Sequence, residues 1–183
     1  MSHNSPLLPE WTIEQALTED AADIAALHSE SFLKTYVNLS GEEHNEAIIE
    51  EATNFVSPER IQLRAELVDE SLKAPDEHFY HIALHDNGKP IGMIYGTKLE
   101  GVQEIEALYV DENYHGAGIG KALVEEYIQW ADPTKPIELG VHKENERAKR
   151  FYIKMGFEAM NDDRHSYYEF LPETTMIRKG TQS

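Results

Sequence analysis

The 183-residue sequence contains no cysteine, which rules out disulfides, cysteine-ligated zinc and thiol nucleophiles. Any nucleophile must come from a substrate or from a hydroxyl, amine or carboxylate. Long hydrophobic runs are also missing. No stretch is apolar enough to span a bilayer, and the opening MSHNSPLLPEW lacks the basic and hydrophobic regions of a secretory signal. Cytoplasmic residence is therefore expected. Positive charge is scarce: 16 Lys and Arg stand against 34 Asp and Glu, a formal net charge of −18. That balance argues against nucleic acid as a partner, because Lys and Arg must neutralise phosphates in such complexes.

The charge that is present is unevenly spread. Residues 40–77 hold eleven Asp and Glu against Arg60, Arg64 and Lys73, whereas 143–154 holds Lys143, Arg147, Lys149, Arg150 and Lys154. The acidic segment could attract a cation and the basic one a polyanion, or both are solvated helix faces. With 40% hydrophobic residues, the length fits one domain over 11–179 with a flexible tail at 1–10, standing alone or as a homodimer.

The most informative stretch is 105–120, IEALYVDENYHGAGIG. A β-patterned run gives way to Gly116, Gly118 and Gly120, and the amphipathic KALVEEYIQWA follows. Glycines let the backbone turn and bring amides close to a ligand, while the first turn of a helix offers unpaired N–H groups and the positive end of its dipole. Phosphate suits that combination. An ordinary glycine-rich strand-to-helix turn has the same sequence, so context must decide.

Elsewhere, WTIEQAL reads as a short strand, and Asp20 precedes a helical pattern through Ile24, Leu27, Phe32 and Tyr36. Two further helices are expected over 41–74, divided at Ser57 and Pro58. HFYHIALHDNGKPIGMIYGTKL is a hairpin about Asn87 and Gly88. VQEIEALYV is a third strand leading into the glycine loop, followed by a helix of about 118–131, the strand IELGVH, and a helix over 145–155 stopped by Gly156. HSYYEF and TTMIRK are candidates for one or two closing strands. His78, His81 and His85 look like a metal cluster, but on a strand only His81 and His85 share a face, about 13 Å apart, so no metal is expected.

The loop HGAGIG, the strand ELGVH and the helix NERAKRFYIKMGF together resemble the GNAT superfamily of acetyl-CoA-dependent N-acetyltransferases. In that superfamily a Q/R-x-x-G-x-G/A loop and an N-x-x-A-x-x-x-Y-x-x-x-G-F helix recur in this order. Within it, SESFLKTYVN and LGVHKENERAKRFYIKMGF are most similar to the PaiA-type spermidine/spermine acetyltransferases of bacteria. The resemblance implies an α/β GNAT fold: a mixed, mostly antiparallel, twisted sheet of six to seven strands with four to five helices.

It also implies a site, residue by residue. Leu108, Tyr109 and Val110 would meet the pantetheine arm of acetyl-CoA, and the amides of His115, Gly116, Ala117, Gly118, Ile119, Gly120 and Lys121 would receive its pyrophosphate. His115 stands where the family has Arg or Gln, so its side chain is secondary to the amides. Asn145, Ala148 and Tyr152 share one helical face, and Asn145 and Tyr152 carry over as cofactor contacts. Tyr152 would donate a proton or hydrogen bond to the departing thiolate. Glu104 and Glu106 share a strand face, and Glu106 is the candidate base or amine-binding carboxylate. Leu108 or Tyr109 would offer the amide that polarises the thioester oxygen. Tyr36 and Phe32 either line the acceptor pocket or belong to the core.

The expected reaction is acetyl transfer to a small, cationic primary amine such as a polyamine, by direct attack. Protein N-termini, lysine side chains, amino acids and aminoglycosides are other acceptors, and a non-catalytic coenzyme A sensor is a reading of another class. A Rossmann unit fits less well, because the glycine loop comes late and ELGVH ends in histidine where an acidic residue would stand.

Overall fold

A computed structural model describes residues 11–99, 101–160, 162, 164 and 166–181; the expected tail at 1–10 lies outside the described residues. The chain opens with β1 (Trp11–Gln15) and α1 (Ala21–Tyr36), then α2 (Asn45–Asn54) and α3 (Pro58–Lys73). The hairpin β2 (His78–His85) and β3 (Pro90–Leu99) leads to β4 (Val102–Val110) and α4 (Ile119–Trp130). Then come β5 (Ile137–His142), α5 (Glu146–Lys154), the two-residue β6 (Glu158–Ala159) and β7 (Glu173–Arg178). Among the described residues, no helix is long and apolar enough to cross a membrane.

Local chemistry sets several boundaries. Ser57 caps α3 by accepting the Arg60 amide at 3.3 Å, with Pro58 in the first turn where no N–H is needed. Gly88 takes φ +78° in the β2–β3 turn, a left-handed conformation that glycine adopts without a Cβ clash. Gly156, at φ +87°, ends α5.

The seven strands form one sheet in the order β1-β2-β3-β4-β5-β7-β6, antiparallel except for β4 beside β5. Helices α1 and α3 pack on one face with Ile24, Leu27, Val68, Tyr80 and Tyr95. On the other face, α4 packs over Phe79, Ile91, Ile105 and Leu139, and Tyr152 of α5 joins the same cluster. Of the two candidates for closing strands, TTMIRK falls largely in β7, while residues 167–170 of HSYYEF are bend and turn. Ser166 Oγ accepts the Tyr168 amide, and the Tyr168 hydroxyl donates to Glu51 at 2.8 Å. That ring packs against Phe32 instead of extending a ladder.

Two irregularities in the sheet make room for a site. β4 and β5 pair only through Gln103, Glu104 and Ile105 with Ile137, Glu138 and Leu139, and then separate. On the other side of β4, Tyr95 opposes Ala107 while Gly96 opposes Ile105, so Glu106 is the extra residue of a β-bulge. The bulge reverses the strand's phase. Ile105 and Leu108, which strict alternation would put on opposite faces, both join the cluster under α4.

Candidate functional site

A cavity of about 610 Å³ fills the gap where β4 and β5 part. Its walls are 105–110 of β4, Gly140 and Val141 of β5, the loop that opens α4, the first turns of α5, and Tyr36 at the end of α1. Every site residue expected from the sequence lines it except Ala117, whose side chain packs against the core.

Backbone direction along β4 follows from one bond. The Asp111 amide donates to Ile91 of β3 at 2.9 Å, so by alternation Tyr109 also faces β3, and Leu108 and Val110 turn their N–H and C=O groups toward the gap left by β5. The choice between Leu108 and Tyr109 as the free amide thus falls to Leu108.

At the mouth, Gly116 and Gly118 take φ +88° and +86°, and a Cβ at either would meet nothing within 4 Å. Glycine is required there by backbone conformation, not by crowding. Gly118 is the N-cap of α4 and supplies no side-chain cap, and no acidic residue lies in the first turn. The Ile119, Gly120 and Lys121 amides therefore have no intrahelical acceptor and stand at the positive end of a twelve-residue helix. This arrangement fits a pyrophosphate.

His115 is used differently. Its Nε2 lies 3.0 Å from the Val110 carbonyl oxygen. A carbonyl only accepts, so Nε2 carries the proton and the ring ties the loop back to β4. Burial, then the nearby Arg147, lowers its pKa. Arg147 of α5 and Lys121 at the start of α4 both line this end of the cavity. Arg147 lies in the basic run visible in the sequence, but its place beside the loop depends on how α5 docks.

Asn145 is the N-cap of α5. Its Oδ1 accepts the Ala148 amide at 3.0 Å, and the residue lines the cavity. Two turns on, Tyr152 is 8% exposed and lies between Phe151 and Phe157. Burial first, then Tyr36, pushes its phenol well above the usual range. The two aromatics of α1 divide: Phe32 is core, 1% exposed, while Tyr36 lines the cavity together with Tyr109. Burial raises the Tyr36 phenol to about 12.

Carboxylates mark the α1 side. Glu106 opens to the cavity and accepts a hydrogen bond from Thr97 Oγ1 at 2.9 Å. Partial enclosure raises its pKa, Thr97 opposes the rise, and Glu104 reinforces it. Glu104 itself is held by Arg164 Nη2, and Glu173 of β7 lines the cavity opposite β4. No signal in the sequence marked Glu173 or Arg164, because both come from the aperiodic tail. The three β2 histidines have separate surroundings: His78 meets the Tyr95 hydroxyl at 3.2 Å, His81 stacks on Phe79, and His85 lies against Tyr114.

Comparison with known proteins agrees with this geometry. The fold matches the PaiA N-acetyltransferase of Thermoplasma acidophilum, solved in complex with coenzyme A, at a TM-score of 0.72 and 24% identity over 93% of this chain and 99% of that one. It also matches a ribosomal-protein-S5-alanine acetyltransferase of Vibrio fischeri at 0.69 and 17%, over 94% of each chain. In sequence, an uncharacterized N-acetyltransferase of Methanocaldococcus jannaschii is 37% identical over 39% of this chain and 36% of its own. The peptidyl-lysine N-acetyltransferase YjaB of Escherichia coli is 33% identical over 42% and 47%. The chain spans less than half the length of these two curated relatives. The model of the acetyltransferase (GNAT) family matches residues 43–157, more than half of the chain and including both the loop and the α5 helix. With the split sheet, the bulge and the glycine loop in their places, this chain belongs to the GNAT family of acetyltransferases.

Proposed function

We propose that the protein transfers the acetyl group of acetyl-CoA to a small cationic primary amine, with polyamines the favoured class. The observation that carries this reading is the continuous cavity through the sheet. It joins an anion-binding loop on the α4 side to partly enclosed carboxylates on the α1 side.

In this reading the amides of 116–121 hold the pyrophosphate, with Arg147 adding charge. Leu108 and Val110 meet the pantetheine arm. The acetyl carbonyl sits against the Leu108 amide, which stabilises negative charge on its oxygen as the amine attacks. An alkyl amine with pKa near 10.4 is about 99.9% protonated at neutral pH, so it must lose a proton before its lone pair is available. Glu106 receives that proton directly or through water. The C–N bond forms as the C–S bond breaks, the sulfur leaves as thiolate, and the nitrogen sheds its second proton to solvent to give the neutral amide. Tyr152 hydrogen-bonds to it. A phenol raised by burial is a poor acid, so hydrogen bonding, not full proton transfer, is its main contribution.

Polyamines are supported by the fold likeness to PaiA and by Glu106 and Glu173 in the cavity. A lysine side chain is the second reading, supported by the likeness to a peptidyl-lysine acetyltransferase. Thiol release from acetyl-CoA, measured with spermidine, spermine, amino acids, aminoglycosides and a lysine peptide, separates them. Tyr152→Phe is expected to lower kcat roughly ten- to hundredfold, the value of about 1.5–3 kcal/mol for a hydrogen bond to a charged group, with little change in acetyl-CoA KM. Tight acetyl-CoA binding with no thiol release for any amine would instead identify a coenzyme A sensor.

A further inference from the structure

Glu173 begins β7 in register with His142 of β5, yet its side chain does not stay beside His142. It reaches back over Gly140, where an added Cβ would collide with Glu173 Oε2 and lie 3.0 Å from Arg164 Nε. A glycine at 140 therefore lets a carboxylate lie flat across β5 and enter the cavity from the side opposite β4. Glu106 enters from β4 itself. The two acids are thus carried by the two diverging halves of the sheet.

Their neutralisation is unequal. Arg164 bonds directly to Glu104 through Nη2 and meets Glu173 only at 3.9 Å through Nε. One guanidinium thus serves two carboxylates, favours Glu104, and leaves Glu173 at ion-pair but not hydrogen-bond distance. Burial raises the Glu173 carboxyl, Arg164 opposes the rise, and Glu104 adds to it. An enclosed carboxylate short of cation gains most from a cation brought in by a ligand.

We propose that Glu173 is a specificity-determining residue that receives a second cationic centre of the acceptor, while the amine to be acetylated lies at Glu106. The assignment rests on the acetyl-transfer reading above. It separates acceptors with two charges along one chain from those with a single amine, and it makes Arg164 a resident competitor for the same carboxylate. The recognition is electrostatic and acts on acceptor binding, so it appears in KM for the acceptor and not in kcat.

The test compares a linear α,ω-diamine with the monoamine of the same chain length in thiol-release assays. The parent protein, Glu173→Gln and Arg164→Gln are each assayed at saturating acetyl-CoA. Glu173→Gln is expected to raise diamine KM about tenfold more than monoamine KM, which removes most of the parent's preference. Arg164→Gln is expected to act in the opposite direction, lowering diamine KM relative to monoamine KM by freeing Glu173. A parent with equal KM for the two amines, or a folded Glu173→Gln protein with the parent's diamine-to-monoamine ratio, overturns the assignment. If Glu173→Gln does not fold, Arg164→Gln decides, and an unchanged or weakened diamine preference there overturns it. A parent that releases thiol with neither amine, nor with any acceptor of the wider screen, overturns the acetyl-transfer reading itself.

Discussion

The Nε2 of His115 donates to the carbonyl oxygen of Val110 at 3.0 Å, joining the glycine loop to the end of the strand before it. The bond fixes the tautomer. Nδ1 is left bare, an acceptor that repels phosphate oxygens, and the lowered pKa keeps the ring neutral at pH 7. Arg147 of α5 lines the same cavity and is the proposed source of side-chain charge for the pyrophosphate.

His115→Ala should therefore act as loss of a loop tie, not loss of a phosphate ligand. A net hydrogen bond of about 1 kcal/mol corresponds to a rise of roughly fivefold in coenzyme A Kd. The variant should keep the parent's salt dependence. Arg147→Ala removes a charge, so its effect should be larger at low salt and shrink as salt is added. Titration calorimetry at two ionic strengths checks both, and a His115→Ala protein whose salt dependence flattens would contradict a neutral ring protonated at Nε2.

As the proposed base, Glu106 should set a pH dependence. Its folded pKa is raised, so the ionised, proton-accepting form is lost at a higher pH than for an ordinary glutamate as pH falls. Thr97 holds the pKa down through its hydrogen bond, and His78 and Arg164 act in the same direction, while Glu104 opposes them. Burial remains the largest cause. The acid limb of kcat/KM should consequently lie above the usual glutamate range. Thr97→Val, which removes only the hydrogen bond, should move it further upward. Glu106→Gln should abolish the limb and lower kcat by about 10²- to 10⁴-fold, the usual range for a general base. A pH profile unchanged in Glu106→Gln would assign the limb to another group.

These two residues also show what could be read from the sequence and what could not. The loop and the α5 helix were legible because their requirements are local: two glycines at positive φ, and an asparagine that caps its own helix. The hairpin at Asn87 and Gly88 was legible for the same reason. The bulge at Glu106 was not, since it is defined by the offset between β3 and β4 and no residue type marks it. Glu173 and Arg164 reach the cavity through the register of β7 and the absence of a side chain at Gly140, both relations between distant segments. Between the two candidates for a closing strand the sequence could not choose, because aromatic residues such as those of HSYYEF suit a strand and a packed turn equally. The Tyr168 hydroxyl found its partner on α2, 117 residues away.

Gly118 and Gly88 provide a matched pair. Both have positive φ and open space where a Cβ would lie, so alanine at either should cost about 1–2 kcal/mol of stability from backbone conformation alone. Only Gly118 orients the free amides of α4. Gly118→Ala should thus weaken coenzyme A binding beyond its stability loss, whereas Gly88→Ala should match it in denaturant midpoint and bind like the parent. Equal affinity in the two variants would separate the loop conformation from ligand binding.

Behind Tyr109, His28 stacks on Phe55 with ring centroids 4.0 Å apart and accepts a hydrogen bond at Nδ1 from Arg64 Nη2 at 2.8 Å. Arg64 also donates to the Tyr80 hydroxyl at 2.6 Å, so the pair ties α1 to α3 and β2. Burial first, then Arg64, lowers the His28 pKa to about 3. In the unfolded chain the ring regains a pKa near 6.5. The stabilising contribution is complete above that value. Below it the unfolded state takes up a proton that the folded state refuses, and stability is lost at about 1.4 kcal/mol per pH unit until the folded pKa is reached. Between pH 6.5 and 5 the loss from this residue should be about 2 kcal/mol. His81, lowered to about 4 by burial, adds a second contribution of the same sign. His28→Gln keeps an acceptor for Arg64 but cannot titrate, so urea unfolding across this range should be visibly flatter for the variant. Parallel curves for parent and variant would mean that His28 gains its proton without unfolding.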